Sequence, residues 1–276
     1  MKRNGTMLVK AYSLSIMYIS NALLYGFTGL YYCFIQLYLH GETQHSSAYI
    51  GILLSVPQAV AVFAPLFWGI CADKAKYKKS ILLIMAAGAT VFYCAVPWSD
   101  NFLWLCATLG CTMFFLSAFG SVLDVIGMET AAVNGVSYGT IRLMGMFGYG
   151  FVSFGLSFFI AGNINFVFKV CAVLGVICCI CIMLMPDVKG HAHARKMQFS
   201  QLFSEKALLL LIAILGTAQF AYGYYLNFFP SYLTDTLNAP TWLWGANVLL
   251  TTLSEAPFFL WFDVLFARLG MKRIVP

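Results

Sequence analysis

Charge is what this sequence has least of. Only 9% of its 276 residues are Asp, Glu, Lys or Arg, where a soluble domain carries about 25%. That shortage excludes a water-facing surface over most of the chain. The 61% of hydrophobic residues and the mean hydropathy of +0.84 make lipid the solvent instead. Period-2 alternation between short turns is also missing, which excludes an outer-membrane barrel. No GxxxxGK[ST] run is present to cradle a nucleotide phosphate, so ATP-driven transport is not expected. Nothing resembles a hydrolase nucleophile, and no enzyme activity, cofactor or nucleic-acid partner is expected. The nine cysteines fall almost entirely within apolar runs and read as reduced, small apolar residues. His191 and His193 form an HxH without further ligands nearby, so no metal site is expected.

What is present is a series of long apolar runs. A crossing helix needs about 20 consecutive apolar residues. Eight such runs stand between polar breaks, at roughly 12–39, 47–71, 80–98, 102–126, 138–161, 164–186, 207–232 and 241–265. The fold class expected is an all-α membrane protein. The first run is too long for a signal peptide's core and no small-residue cleavage site follows it, so it reads as an uncleaved crossing.

The basic residues orient the crossings. With a cytoplasmic N-terminus and one crossing per run, the cytoplasmic segments hold fourteen of the sixteen basic residues. They are Lys2, Arg3 and Lys10; Lys74, Lys76, Lys78 and Lys79; Lys189, Arg195, Lys196 and Lys206; and Arg268, Lys272 and Arg273. The loops around Glu42, Asp100, Gly162 and Asp235 hold none, and Arg142 and Lys169 lie inside runs. This asymmetry predicts a multi-pass protein of the cell (plasma or inner) membrane with both termini cytoplasmic. It also accounts for the net charge of +6 without an anionic partner.

The chain repeats itself at an offset of 194 residues. Gly29 meets Gly223, Tyr31 meets Tyr225, Phe34 meets Phe228 and Tyr38 meets Tyr232; across the next loop Gly51 meets Gly245, Lys74 meets Arg268 and Lys78 meets Lys272. Runs seven and eight therefore copy runs one and two, which makes the repeat unit six crossings. The expected organisation is a six-helix half over 1–186, a cytoplasmic linker over 187–206 and a partial second half over 207–276. The second copy reaches Pro276 where its third run should begin. Four crossings are then expected from a longer chain or a partner; the alternative is a truncated, non-transporting remnant.

Two parallel six-helix halves are the layout of major facilitator transporters, and three short motifs carry the resemblance. Gly69, Asp73, Lys74, Lys78 and Lys79 follow the spacing GxxxD[RK]xGx[RK][RK], similar to the family's signature loop between its second and third helices. Lys76 stands where that motif has a glycine. The copy Ala267 to Arg273 repeats its charges through Arg268, Lys272 and Arg273. The resemblance implies that Asp73 pairs with a neighbouring helix and, with the two basic loops, latches one conformation. Asp124 in run four and Arg142 in run five, within YGTIR and followed by Gly145 and Gly148, resemble the lactose permease and phenylpropionate permease-like branch of proton symporters. There an acid and an arginine at this separation bind substrate. Thr140 and Met146 depart from that pattern. SEAP, Ser254 to Pro257, resembles the acid before a proline in the eighth helix of the same branch. The resemblance implies a permease that moves a small organic solute, of sugar or aromatic acid type, by proton-coupled alternating access.

The residues support this independently of any family. An ionised side chain in hydrocarbon costs at least about 2.5–3.5 kcal/mol, so Asp124, Arg142 and Glu255 must face protein or a wet cavity. An Asp124–Arg142 ion pair would also meet that demand structurally. Glu255 is the candidate proton carrier, since a carboxyl neutral in one facing state and ionised in the other couples proton to solute movement. Lys169, near the end of its run, reads as a snorkelling side chain. In run one, Asn21, Tyr25, Thr28, Tyr32 and Gln36 recur at helical steps and make one face polar. The repeat carries Tyr25, Thr28 and Tyr32 onto Gln219, Tyr222 and Leu226. Candidate substrate contacts are therefore Asp124, Arg142, Tyr25, Thr28, Tyr32 and Tyr222.

Overall fold

The computed structural model describes residues 2–41, 47–160, 162–188 and 206–269, with side chains over 12–41, 48–160, 162–188, 209–259 and 261. Lys272, Arg273, His191 and His193 lie outside the described residues, as does the side chain of Arg268.

The described residues include nine α-helices: α1 (Lys2–Gly41), α2 (Ser47–Lys74), α3 (Lys78–Ala95), α4 (Phe102–Leu116), α5 (Phe119–Asn134), α6 (Tyr138–Phe159), α7 (Phe166–Leu184), α8 (Lys206–Ser231) and α9 (Thr241–Leu269). Among the described residues, seven spans are long and apolar enough to cross a membrane, with α4 and α5 counted together. By length alone α9 matches an eighth. The outer faces are apolar, with Val62, Phe63 and Phe67 of α2 all more than half exposed. The chain is a multi-pass membrane protein. The 194-residue offset reappears in the helices, since α2 begins at Ser47 and α9 at Thr241.

Run four differs from expectation. It is two helices, not one, and continues to Asn134. The break falls at Ala118, where ψ opens to 2°, before helical bonding resumes from Val122 N to the Ala118 carbonyl. Asp124 consequently lies in the second turn of α5, about ten residues from its end. Gly135, at φ 71, closes α5 in the left-handed conformation that glycine adopts freely. Ser137 then caps α6 by accepting from Gly139 N at 3.1 Å. Run two behaves more simply: α2 remains helical through Pro57 and Pro65. On α7, Cys178 and Cys181 have CxxC spacing, and all nine thiols are free.

The centre of the fold is α6, packed against α1 on one side and α9 on the other. Glycines make both contacts. A Cβ on Gly148 would sit 1.9 Å from the Ala22 carbonyl oxygen of α1, and one on Gly150 would sit 2.3 Å from Thr252 Oγ1 of α9. Gly245 of α9 returns the arrangement, since its Cβ would lie 2.3 Å from Ser157 Oγ. Small residues at such positions let helix backbones approach closely where hydrophobic burial gives no drive. Gly148→Ala therefore has no rotamer escape and should push α1 from α6, lowering the melting temperature in detergent by several degrees. Gly155→Ala, with nothing within 4 Å of its Cβ, should leave melting unchanged.

Candidate functional site

The polar face of α1 meets α6 across Gly145. A Cβ there would come within 2.4 Å of the Tyr25 ring, so the missing side chain fixes where that ring lies. The Tyr25 hydroxyl donates to Asp124 Oδ1 at 2.6 Å. Its ring faces the Arg142 guanidinium at 4.2 Å, a cation–π geometry that gains strength away from water. Arg142 donates from Nη1 to the same Asp124 oxygen at 3.0 Å. Three helices, α1, α5 and α6, thus converge on one carboxylate.

Beside this cluster is a cavity of about 480 Å³ between α1, α2, α4 and α6 on one side and α8 and α9 on the other. Of the expected site residues, Tyr25, Thr28, Tyr32, Arg142, Tyr222 and Glu255 line it. Asp124 does not. It stands one layer back, where it holds Arg142 and Tyr25 toward the lumen. Glu255 on α9 attracts Arg142 across the cavity without a direct ion pair.

The cavity also has walls that sequence reading missed, among them Tyr149 of α6, Tyr225 and Asn227 of α8 and Thr251 of α9. Thr251 precedes Glu255 by one helical turn, a spacing that marks one face. Tyr225 accepts a hydrogen bond from Asn247 of α9 and packs on Trp244, ring centroids 5.7 Å apart. Trp244 is fully buried and donates from Nε1 to the Cys33 carbonyl of α1 at 3.0 Å, tying α9 to α1. At the same end of the molecule His40 Nδ1 of α1 approaches Asp235 Oδ2, just past α8, at 3.9 Å.

The signature loop divides in two. Gly69, Asp73 and Lys74 are exposed, and Asp73 shows no ion pair with a described residue. Lys78 and Lys79, by contrast, occupy the first turn of α3, where the positive end of the helix dipole disfavours cations. Each is matched by a carboxylate: Lys78 Nζ lies 2.8 Å from Glu129 of α5, and Lys79 pairs with Asp187 beyond α7. The Lys78 amide also donates to the Val188 carbonyl at 2.9 Å. These ties join α3, α5 and the end of α7. Lys169 is exposed in the first turn of α7, in keeping with a snorkelling side chain.

Residues 11–276 match the MFS_1 like family. The chain belongs to the major facilitator superfamily. The chain is 25% identical over 261 residues to the uncharacterized transporter YwbF of Bacillus subtilis, covering 90% of this chain and 63% of that protein. It is 27% identical over 259 residues to the maltose permease of Geobacillus stearothermophilus, at the same two coverages. It is 26% identical over 257 residues to the sucrose permease of Escherichia coli, covering 83% of this chain and 61% of that one. The chain thus spans less than two thirds of the length of these relatives. In fold it is similar to a mutant of the nucleoside transporter NupG, with a TM-score of 0.77 at 16% identity over 95% of this chain and 70% of that structure. The NupG structure without that mutation gives a TM-score of 0.68 over 95% and 69%.

Proposed function

We propose that this chain carries the solute pathway of a secondary transporter that moves a small organic solute across the cell membrane by alternating access coupled to protons. The observation that carries the reading is the cavity between α1, α6, α8 and α9, where Arg142 stands in an otherwise apolar span and Glu255 of α9 shares the lining with it. Charge in such a place is costly and marks solute or ion pathways. Asp124 positions Arg142 and Tyr25 through its bonds to both, and Glu255 is placed to exchange a proton with the lumen. The first six crossings form one half and α8 and α9 begin the second, with solute bound at the interface of the repeats. The end bearing Trp244, His40 and Asp235 is the external one and is closed in this conformation. The basic loops lie in the cytoplasm, and the Lys78–Glu129 and Lys79–Asp187 pairs brace the first half against which the second moves.

The maltose and sucrose permeases among the relatives and the nucleoside transporter fold support a sugar or a nucleoside as solute. Radiolabelled maltose, sucrose and uridine offered to proteoliposomes with an acidic exterior test the proposal. Accumulation of one of them that collapses when the gradient is dissipated is expected; accumulation indifferent to the gradient contradicts proton coupling.

A further inference from the structure

Gln36 stands out among the residues bordering the cavity. It belongs to the polar face of α1, it is 2% exposed, and neither its Oε1 nor its Nε2 has a hydrogen-bond partner. A buried carboxamide left unbonded is expensive, because desolvation is not offset by any bond. Native structures keep few such groups, and each calls for a physical cause. Neighbouring polar side chains on α1 do find partners: Thr28 donates to the Tyr25 carbonyl at 2.8 Å, and Tyr32 donates to Met113 Sδ at 3.7 Å. Gln36 has the length to do the same and does not.

Charge in the cavity narrows what meets that amide. Among the described lining residues only Arg142 and Glu255 carry it. Arg142 is already bonded to Asp124, so the one cation of the described lining is matched by a carboxylate behind it. An anionic solute would find no surplus cation here. The rest of the wall mixes tyrosine rings, amides and hydroxyls with apolar side chains such as Ile35, Leu54, Met113, Met146 and Val248, a lining that receives an uncharged solute with a flat or ring-shaped body.

Resting on the transport reading above, we propose that Gln36 is a solute-binding residue and that the solute is uncharged. The solute offers a donor and an acceptor side by side, as a vicinal diol or a nucleobase edge does. The carboxamide presents N–H and C=O in the complementary order. Both amide atoms are covered in this conformation, so the amide is uncovered when solute occupies this end of the cavity or when α1 and α8 separate. The unbonded amide is then a stability cost retained for binding.

The test compares the wild-type chain with Gln36→Met, which keeps length and volume and removes both polar atoms. Equilibrium binding of maltose, sucrose, uridine and benzoate to detergent-purified protein is measured beside thermal melting without ligand. Expected is wild-type binding of a sugar or of uridine but not of benzoate, and a loss of about five-fold to thirty-fold in Gln36→Met, since each neutral hydrogen bond contributes about a factor of five. Melting of the variant should be unchanged or raised, because no bond is lost. A sugar as the bound probe assigns the diol, and uridine assigns the base edge. Unaltered affinity in Gln36→Met, a variant that melts several degrees lower, or wild-type binding of benzoate alone overturns the proposal and leaves the transport reading standing. Wild-type protein that binds none of the four overturns it as well; counterflow in the same preparation then decides separately whether the transport reading survives.

Discussion

Arg142→Ala is expected to abolish solute uptake while the protein stays folded in the membrane. Three contacts end together: the bond to Asp124 at 3.0 Å, the stacking over Tyr25 at 4.2 Å and the face that Arg142 gives the cavity. Hydrogen bonds to charged groups contribute about 1.5–3 kcal/mol each, so loss of one to the solute alone lowers uptake roughly 10- to 100-fold. The freed Asp124 carboxylate adds to this, because the Tyr25 hydroxyl that still donates to it is no longer held beneath a guanidinium. Arg142→Lys should recover little, since an ammonium has neither the planar fork nor the stacking face. Initial uptake rates normalised to protein in the membrane check this. Rates within two-fold of wild type, a margin far below the effect of one charged hydrogen bond, contradict the role assigned to Arg142.

Glu255→Gln is expected to separate solute movement from proton movement. The amide keeps the size and hydrogen-bonding capacity of the protonated carboxyl and cannot ionise. Gradient-driven accumulation should fall to simple equilibration, whereas exchange of internal for external solute at equal pH should persist near the wild-type rate. Loss of exchange together with accumulation would instead make Glu255 a plain solute ligand. Retained accumulation would place the coupling site elsewhere.

Much of this site was legible because helical period is a strong signal. Tyr25, Thr28, Tyr32 and Gln36 share a face of run one by their steps of three and four, and all four border the cavity. Arg142 and Glu255 stood out because charge in an apolar run must be answered for. The repeat placed Gln219 and Tyr222 opposite them. What period does not encode is distance between helices. That Asp124 stands behind Tyr25 follows from the close approach at Gly145, and from the break at Ala118 that starts α5 afresh. Composition carries no trace of either. Glu129 and Asp187 were invisible as partners of Lys78 and Lys79 for the same reason, since 51 and 108 residues separate the members of each pair. Only the geometry divides the glycines of α6 between α1 and α9.

The central claim is that a solute crosses through the cavity beside Arg142. Entrance counterflow tests it most directly, because it needs no gradient and no assumption about the coupling ion. Wild-type chain in proteoliposomes preloaded with unlabelled maltose, sucrose or uridine should draw in the matching labelled solute transiently above equilibrium, and Arg142→Ala should not. Equal, equilibrium-limited entry in wild type, Arg142→Ala and protein-free vesicles would contradict the claim.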